Sequence, residues 1–173
     1  MKVAIHHNNH KYSFCHKWIE YCKLNKIDYK LVSAYDTDII SQLNDYDVFL
    51  WHFFQTDYRD MLFAKQLLYS LQMSGKNVFP DFNTAWHFDD KVGQKYLLEA
   101  IDAPLVNSYV FYEIEEAIDW INQTSFPKVF KLRGGAGAVN VYLVKSKKQA
   151  ITLLYKAFSK GFKAFNRWGN FKG

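Results

Sequence analysis

Three observations predict an α/β fold whose first part is a small doubly wound parallel sheet. Short apolar runs at residues 2–6, 28–33, 48–51 and 77–79 alternate with segments of helical periodicity. Strands separated by helical segments pair in parallel, since each return to the sheet needs a crossover. The composition, 49% hydrophobic and 23% charged over 173 residues, supports a packed core in one domain or two small ones.

The elements follow in order. Residues 2–6, KVAIH, are an apolar run closed by polar HNNHK, as expected of a buried first strand. Cys15, Trp18, Ile19 and Cys22 recur at i, i+3, i+4, i+7 and predict a helix ending near Asn25. The two cysteines share one helical face about 10 Å apart, too far to bridge, and read as small buried hydrophobes. Residues 28–33 read as a second strand, 38–43 as a short helix and 48–51 as a third strand. Met61, Ala64, Leu67, Leu68 and Leu71 mark one face of a helix over 57–73, with Gly75 as its stop signal and 77–79 as a fourth strand before Pro80. Ligands in such sheets sit beyond the carboxyl ends of the strands. That rule places His6, Asn8 and His52 where a carboxylate- or amine-bearing substrate could be held. The same residues also fit an ordinary solvated loop.

A second unit begins near Asn83, giving expected domains of 1–82 and 83–173. Asn83-Thr84 predicts the cap of a helix running through Lys91 to about Ile101, which Pro104 ends. Residues 108–112 read as a strand, 113–122 as a helix, and 126–132 and 139–144 as strands on either side of Gly134-Gly135-Ala136-Gly137-Ala138. Residues 147–159 read as a last helix. The final segment, GFKAFNRWGNFKG, has aromatic residues without a stable period.

Charge is divided unevenly. The chain has 22 Lys and Arg against 17 Asp and Glu, a net charge of +5, but residues 131–173 carry ten bases and no acid, so the remainder is net −5. Such asymmetry suggests a polyanion ligand or an acidic partner. No apolar stretch reaches the length of a membrane span, and the first residues turn polar too soon for a signal peptide, so a cytoplasmic protein is expected.

The glycine-rich turn fits neither common phosphate loop. A Walker A loop ends in Gly-Lys-Ser/Thr, which is missing from the sequence, and a dinucleotide fingerprint leads into a helix rather than a strand. What remains is a hairpin flap whose glycines let backbone amides approach an anion. Strand alternation puts Val129, Lys131 and Arg133 on one face beneath it. A wide hairpin with solvated lysines would look the same.

Read in order, the second unit holds WHFDDK at 86–91, EEAIDW at 115–120 and FPKVFKLRGGAGAVNVYLVKS from Phe126 onward. This succession resembles the ATP-grasp superfamily, and more narrowly its RimK-like ligases. The resemblance covers the whole chain as a pre-ATP-grasp domain followed by a first ATP-grasp lobe, an incomplete α+β unit. It implies that Lys91 and Lys131 contact ATP phosphates and that Gly134, Gly135 and Gly137 form the flap. It also implies an ATP-dependent carboxylate–amine or carboxylate–thiol ligase working through an acylphosphate. Mg²⁺ ligands and a phosphate-facing arginine would come from a second lobe, so no metal ligand is expected in this chain and the fragment alone is expected to be inactive. The expected partners are ATP, a carboxylate and an amine of unknown identity, and either that second lobe or an oligomeric partner.

Two competing functions arise from the residues themselves. Lys145, Lys147, Lys148, Lys156, Lys160, Lys163, Arg167 and Lys172 interleave with Phe158, Phe162, Phe165, Trp168 and Phe171, a pattern that suits single-stranded nucleic acid or a non-catalytic docking surface. The closely spaced His6, His7, His10 and His16 invite a metal, but HHNNH reads as a loop rather than a helical H-x-x-x-H pair, and no Cys or carboxylate of matching spacing follows.

Overall fold

The computed structural model describes residues 1–135 and 140–162. The chain divides into two compact units, Met1–Phe88 and Asp89–Gly173.

The first unit runs β1 (Lys2–His6), α1 (Cys15–Leu24), β2 (Asp28–Val32), α2 (Ile39–Gln42), β3 (Val48–Leu50), α3 (Tyr58–Met73), β4 (Asn77–Phe79) and α4 (Phe82–Ala85). Its four strands form a parallel sheet in the order β2-β1-β3-β4, with Val3 opposite Tyr29 and Val48, and Val48 opposite Asn77. Alternation along each strand feeds two cores. Val3 and Ile5 face Cys15 and Cys22 of α1, whereas Ala4 and Phe49 face Ala64, Leu68 and Leu71 of α3. Helices on both faces leave β1 buried at four of its five positions, as a central parallel strand requires. The sheet is the doubly wound unit that the sequence predicts, and both cysteines are buried and free.

The second unit contains α5 (Lys91–Ala100), α6 (Ile114–Gln123), β5 (Lys128–Lys131), β6 (Val141–Val144) and α7 (Lys147–Phe158). The two strands pair antiparallel, Val129 opposite Leu143 and Lys131 opposite Val141. Their inner face, through Phe130 and Val144, packs on Ala117 and Ile121 of α6 and on Ala150 and Leu154 of α7. Ser146 caps α7 by accepting from the Gln149 amide.

Two elements depart from the sequence-based expectation. The single helix expected over 83–101 is two helices. Asp81 caps α4, and the chain then turns through Asp89 at φ 53° before Asp90 caps α5 by accepting from the amides of Val92 and Gly93. Asp is among the few non-glycine residues that tolerate this left-handed conformation, and a second capping acid starts a new helix. The strand expected at 108–112 forms no ladder. Tyr109 and Phe111 instead pack their rings on Trp120 at 4.7 and 5.4 Å, and the Tyr112 hydroxyl meets that of Tyr96 at 2.7 Å. An apolar alternation satisfied by side-chain contacts looks like a strand in sequence, although its backbone pairs with nothing in a sheet.

Candidate functional site

In the second unit, three consecutive charged residues, Asp89, Asp90 and Lys91, are tied to the end of β5 and the start of the flap. The Lys91 amide donates to the Arg133 carbonyl at 3.0 Å. While Asp90 Oδ1 caps α5, its Oδ2 accepts from Arg133 Nε at 3.0 Å and from Nη2. Hydrogen bonding to the Arg133 guanidinium holds the Asp90 carboxyl down at about 2. Asp89 accepts from the Gly135 amide through both carboxylate oxygens at 2.9 Å, and the Lys91 ammonium donates to the Gly135 carbonyl at 2.5 Å. Gly135 sits at φ 113°, a conformation that residues with a Cβ rarely adopt. Backbone and side chain therefore place the Lys91 ammonium on the flap at Gly135, four residues beyond the end of β5.

Lys131 is the last residue of β5 and lies on its exposed face with Val129, as the period of two predicts. Val129 and its cross-strand partner Leu143 are each 54% exposed, so among the described residues this side of the hairpin is an apolar surface that also carries Lys131. Gly134 adjoins Asp89: a Cβ there would lie 3.6 Å from Asp89 Oδ2, an ordinary contact. Gly137 lies outside the described residues.

At the carboxyl edge of the first unit's sheet, the three expected residues are engaged by their own fold. His6 is buried, and its Nδ1 accepts from the Ala34 amide at 2.9 Å. Burial pushes its imidazole down to about 4. His52 Nδ1 accepts from the Phe14 amide at 3.1 Å, its ring stacks on Phe14 at 4.1 Å, and burial followed by the neighbouring His10 lowers its pKa. Asn8 Oδ1 accepts from the His10 amide at 2.7 Å. Of the three, Asn8 lines the open hollow of about 430 Å³ at this edge, together with His10, Phe54, Thr56, Asp57 and Tyr58. His6 and His52 thus serve as neutral backbone acceptors, a role their position in sequence did not reveal.

Sequence reasoning also passed over Asp89, Asp90 and Arg133 as site residues. The signal available was two acids directly before a lysine, the second of them at a helix start. Their partners lie more than forty residues away and carry no local signature. Among the described residues, no group of three or more His, Cys, Asp or Glu could hold a metal ion.

No family model matches the chain, and no curated protein does. Solved structures do. A RimK-domain ATP-grasp protein from Sphaerobacter thermophilus superposes with a TM-score of 0.66 at 19% identity, covering 94% of this chain and 61% of that one. The biotin carboxylase domain of the 2-oxoglutarate carboxylase from Hydrogenobacter thermophilus, a dimer in complex with MgADP, ADP and bicarbonate, gives 0.62 at 12%, covering 91% and 41%. N5-carboxyaminoimidazole ribonucleotide synthetase from Thermotoga maritima gives 0.57 at 19%, covering 87% and 42%. The chain therefore has a partial ATP-grasp fold and spans 41 to 61% of the length of these neighbours. No helix among the described residues is long and apolar enough to cross a membrane.

Proposed function

We propose that this chain is the N-terminal part of a RimK-like, ATP-dependent carboxylate–amine or carboxylate–thiol ligase, with Lys91, Lys131 and the flap glycines Gly134, Gly135 and Gly137 on the nucleotide phosphates. The observation that carries it is the network joining Asp89, Asp90 and Lys91 to Arg133 and Gly135, which holds one of the two lysines of the resemblance at the flap. The donors suit a triphosphate: two ammonium groups and flap amides offset its charge and orient the terminal phosphoryl group. In the reaction, a substrate carboxylate oxygen attacks the γ-phosphorus and releases ADP. The amine or thiol then attacks the acyl carbon and releases phosphate. The domain assignment that goes with this is a pre-ATP-grasp domain of residues 1–82 and a first lobe of 83–173. Mg²⁺ would supply further charge neutralisation of the triphosphate and would be held by carboxylates from outside the described residues, and the chain by itself binds ATP weakly and does not turn it over.

Calorimetric titration with ATP tests the assignment. Lys91→Ala and Lys131→Ala are each expected to weaken binding about tenfold, the effect of losing one charge-assisted hydrogen bond. Unchanged affinity in both variants refutes it. Steady ATP turnover by the purified chain, abolished by Lys131→Ala, refutes the inactivity instead.

The Gly135 amide is already bonded to Asp89, so a phosphate that takes this amide must displace a carboxylate. Asp89→Asn keeps an acceptor and tolerance of the left-handed backbone but removes the negative charge. It is expected to tighten ATP binding roughly threefold or more, since a like charge beside the phosphates then disappears. Equal or weaker binding by this variant would show that Asp89 does not compete with the nucleotide.

The basic, aromatic C-terminal segment finds less support as a nucleic-acid surface. Phe162 packs on Phe130 and Tyr142 with Lys156 over its ring, and so belongs to the hairpin's own packing. Lys163, Phe165, Arg167, Trp168, Phe171 and Lys172 lie outside the described residues.

A further inference from the structure

Strand order in the first unit sets the position of its crevice. β1 and β3 are neighbours in the order β2-β1-β3-β4, yet the chain leaves β1 through α1 toward β2 and leaves β3 through α3 toward β4. Because α1 packs on one face of the sheet and α3 on the other, the loops after β1 and β3 part in opposite directions. Open parallel sheets bind their ligands at such a switch point, beyond the carboxyl ends of the strands. The hollow of about 430 Å³ lies there. Asn8 and His10 come from the loop after β1, and Phe54, Thr56, Asp57 and Tyr58 come from the segment joining β3 to the first turn of α3. Its size is that of a small-molecule cleft, roughly 300 to 1,000 Å³.

Internal hydrogen bonds decide what this lining offers a ligand. Asn8 Oδ1 accepts from the His10 amide at 2.7 Å, which leaves the NH₂ group as the free half of the side chain. His10 Nδ1 accepts from the Tyr12 amide at 3.3 Å, so the neutral ring carries its proton on Nε2. Neither of these donors, nor the hydroxyl of Thr56 or Tyr58, makes a hydrogen bond among the described residues. The one carboxylate of the lining is already taken: Asp57 Oδ1 accepts from the Arg59 amide at 2.9 Å and from Nε at 3.3 Å, and Oδ2 accepts from Nη2 at 3.0 Å. An ammonium group would therefore meet N–H groups and an acid that a guanidinium neutralises. A phosphate dianion would find no Lys or Arg in the lining and Asp57 close by. A single carboxylate matches the free donors. Phe54, buried and stacked against His10 at 4.2 Å, and Tyr58 flank the space with rings. The Phe54 amide is bonded to Asp60 Oδ2 at 2.7 Å, so the ring is held before a ligand arrives. We propose that this hollow binds a small ligand with one carboxylate and a flat apolar body, through Asn8, His10, Thr56 and Tyr58. The proposal does not depend on the nucleotide reading.

Amide NMR of the isotope-labelled chain, titrated near neutral pH with benzoate or phenylacetate and without nucleotide, tests it. Saturable shifts are expected at residues 8–10 and 54–58, with a dissociation constant in the millimolar range suited to so small a ligand. Benzamide and benzylamine, which keep the ring but lose the anionic acceptor, are expected to bind about tenfold more weakly. Thr56→Val keeps the side-chain shape and has no hydrogen bond of its own fold to lose. It and Asn8→Ala are each expected to weaken benzoate binding about three- to tenfold, with circular dichroism confirming that both variants fold. Benzylamine binding as tightly as benzoate overturns the proposal. So do shifts that saturate elsewhere, such as around Lys131, an absence of saturation by about 50 mM, or parental affinity in both variants. With no nucleotide present, each of these outcomes is separate from the fate of the ligase assignment.

Discussion

Asp60→Ala is expected to destabilise the chain by about 3–4 kcal/mol, the largest single-residue effect among those considered. Asp60 is fully buried, yet both of its oxygens are engaged: Oδ1 accepts from the Tyr35 hydroxyl, and Oδ2 accepts from the Phe54 amide at 2.7 Å. Removing the carboxylate leaves two donors without an acceptor beneath the sheet edge, and each such group costs about 1–3 kcal/mol. Arg59, stacked over Tyr35 at 4.2 Å, loses the anchored ring it rests on. Burial raises the Asp60 pKa, so holding this carboxylate is itself costly. Asp60→Asn, which keeps the volume and one acceptor, should therefore cost less than half as much. Denaturant titration of the two variants checks the order. An Asp60→Ala loss below about 1 kcal/mol would mean that Tyr35 and Phe54 find other acceptors.

Acid lability traceable to His6 is the second large effect. Burial holds this imidazole at about 4 in the folded chain against an ordinary 6.5, so the unfolded chain binds the extra proton between those values. The stabilisation from His6 is complete above pH 6.5 and is lost as pH falls toward 4. The loss amounts to about 3 kcal/mol over that window. Asp60 acts with the opposite sign, because a raised carboxyl takes up its proton more readily in the folded state. The comparison must therefore isolate His6. His6→Asn can still accept from the Ala34 amide but does not titrate, and its stability should fall less steeply than that of the parent chain between pH 6.5 and 4. Parallel curves for the two proteins would show that His6 is not held neutral.

Tyr35 links these effects. It donates to Asp60 while its ring stands edge-on to His6 at 5.2 Å. The carboxyl edge of the sheet, where the sequence suggested substrate-holding His6 and His52, is thus underlain by a buried polar network. The two histidines hold backbone amides of their own unit, and the residues that open onto the hollow are Asn8, His10, Thr56, Asp57 and Tyr58 along with Phe54.

Local patterns fixed the elements because each depends on a few neighbouring residues: the period of two in β1 and β5, the period near 3.6 in α1, α3 and α7, and the stop at Gly75. Alternation of strands and helices was enough to imply a parallel, doubly wound sheet, and the order of Lys91, Lys131 and the glycines was enough to suggest the fold class. The same patterns misread residues 108–112, where the alternation serves packing on Trp120, and the junction at Asp89 and Asp90, where a left-handed residue and a second cap divide one expected helix into two.

By itself, then, the sequence determined the α/β class, the parallel first sheet and the cationic hairpin. Tertiary structure alone decided the strand order β2-β1-β3-β4, the clamp that ties Asp89, Asp90 and Lys91 to Arg133 and Gly135, and the neutral state of His6. The physical reason is separation along the chain. A cap or an amphipathic stripe is set within one or two helical turns. A carboxylate that meets an amide 46 residues away, or an imidazole that accepts from one 28 residues away, gains its partner and loses its water only when the units fold.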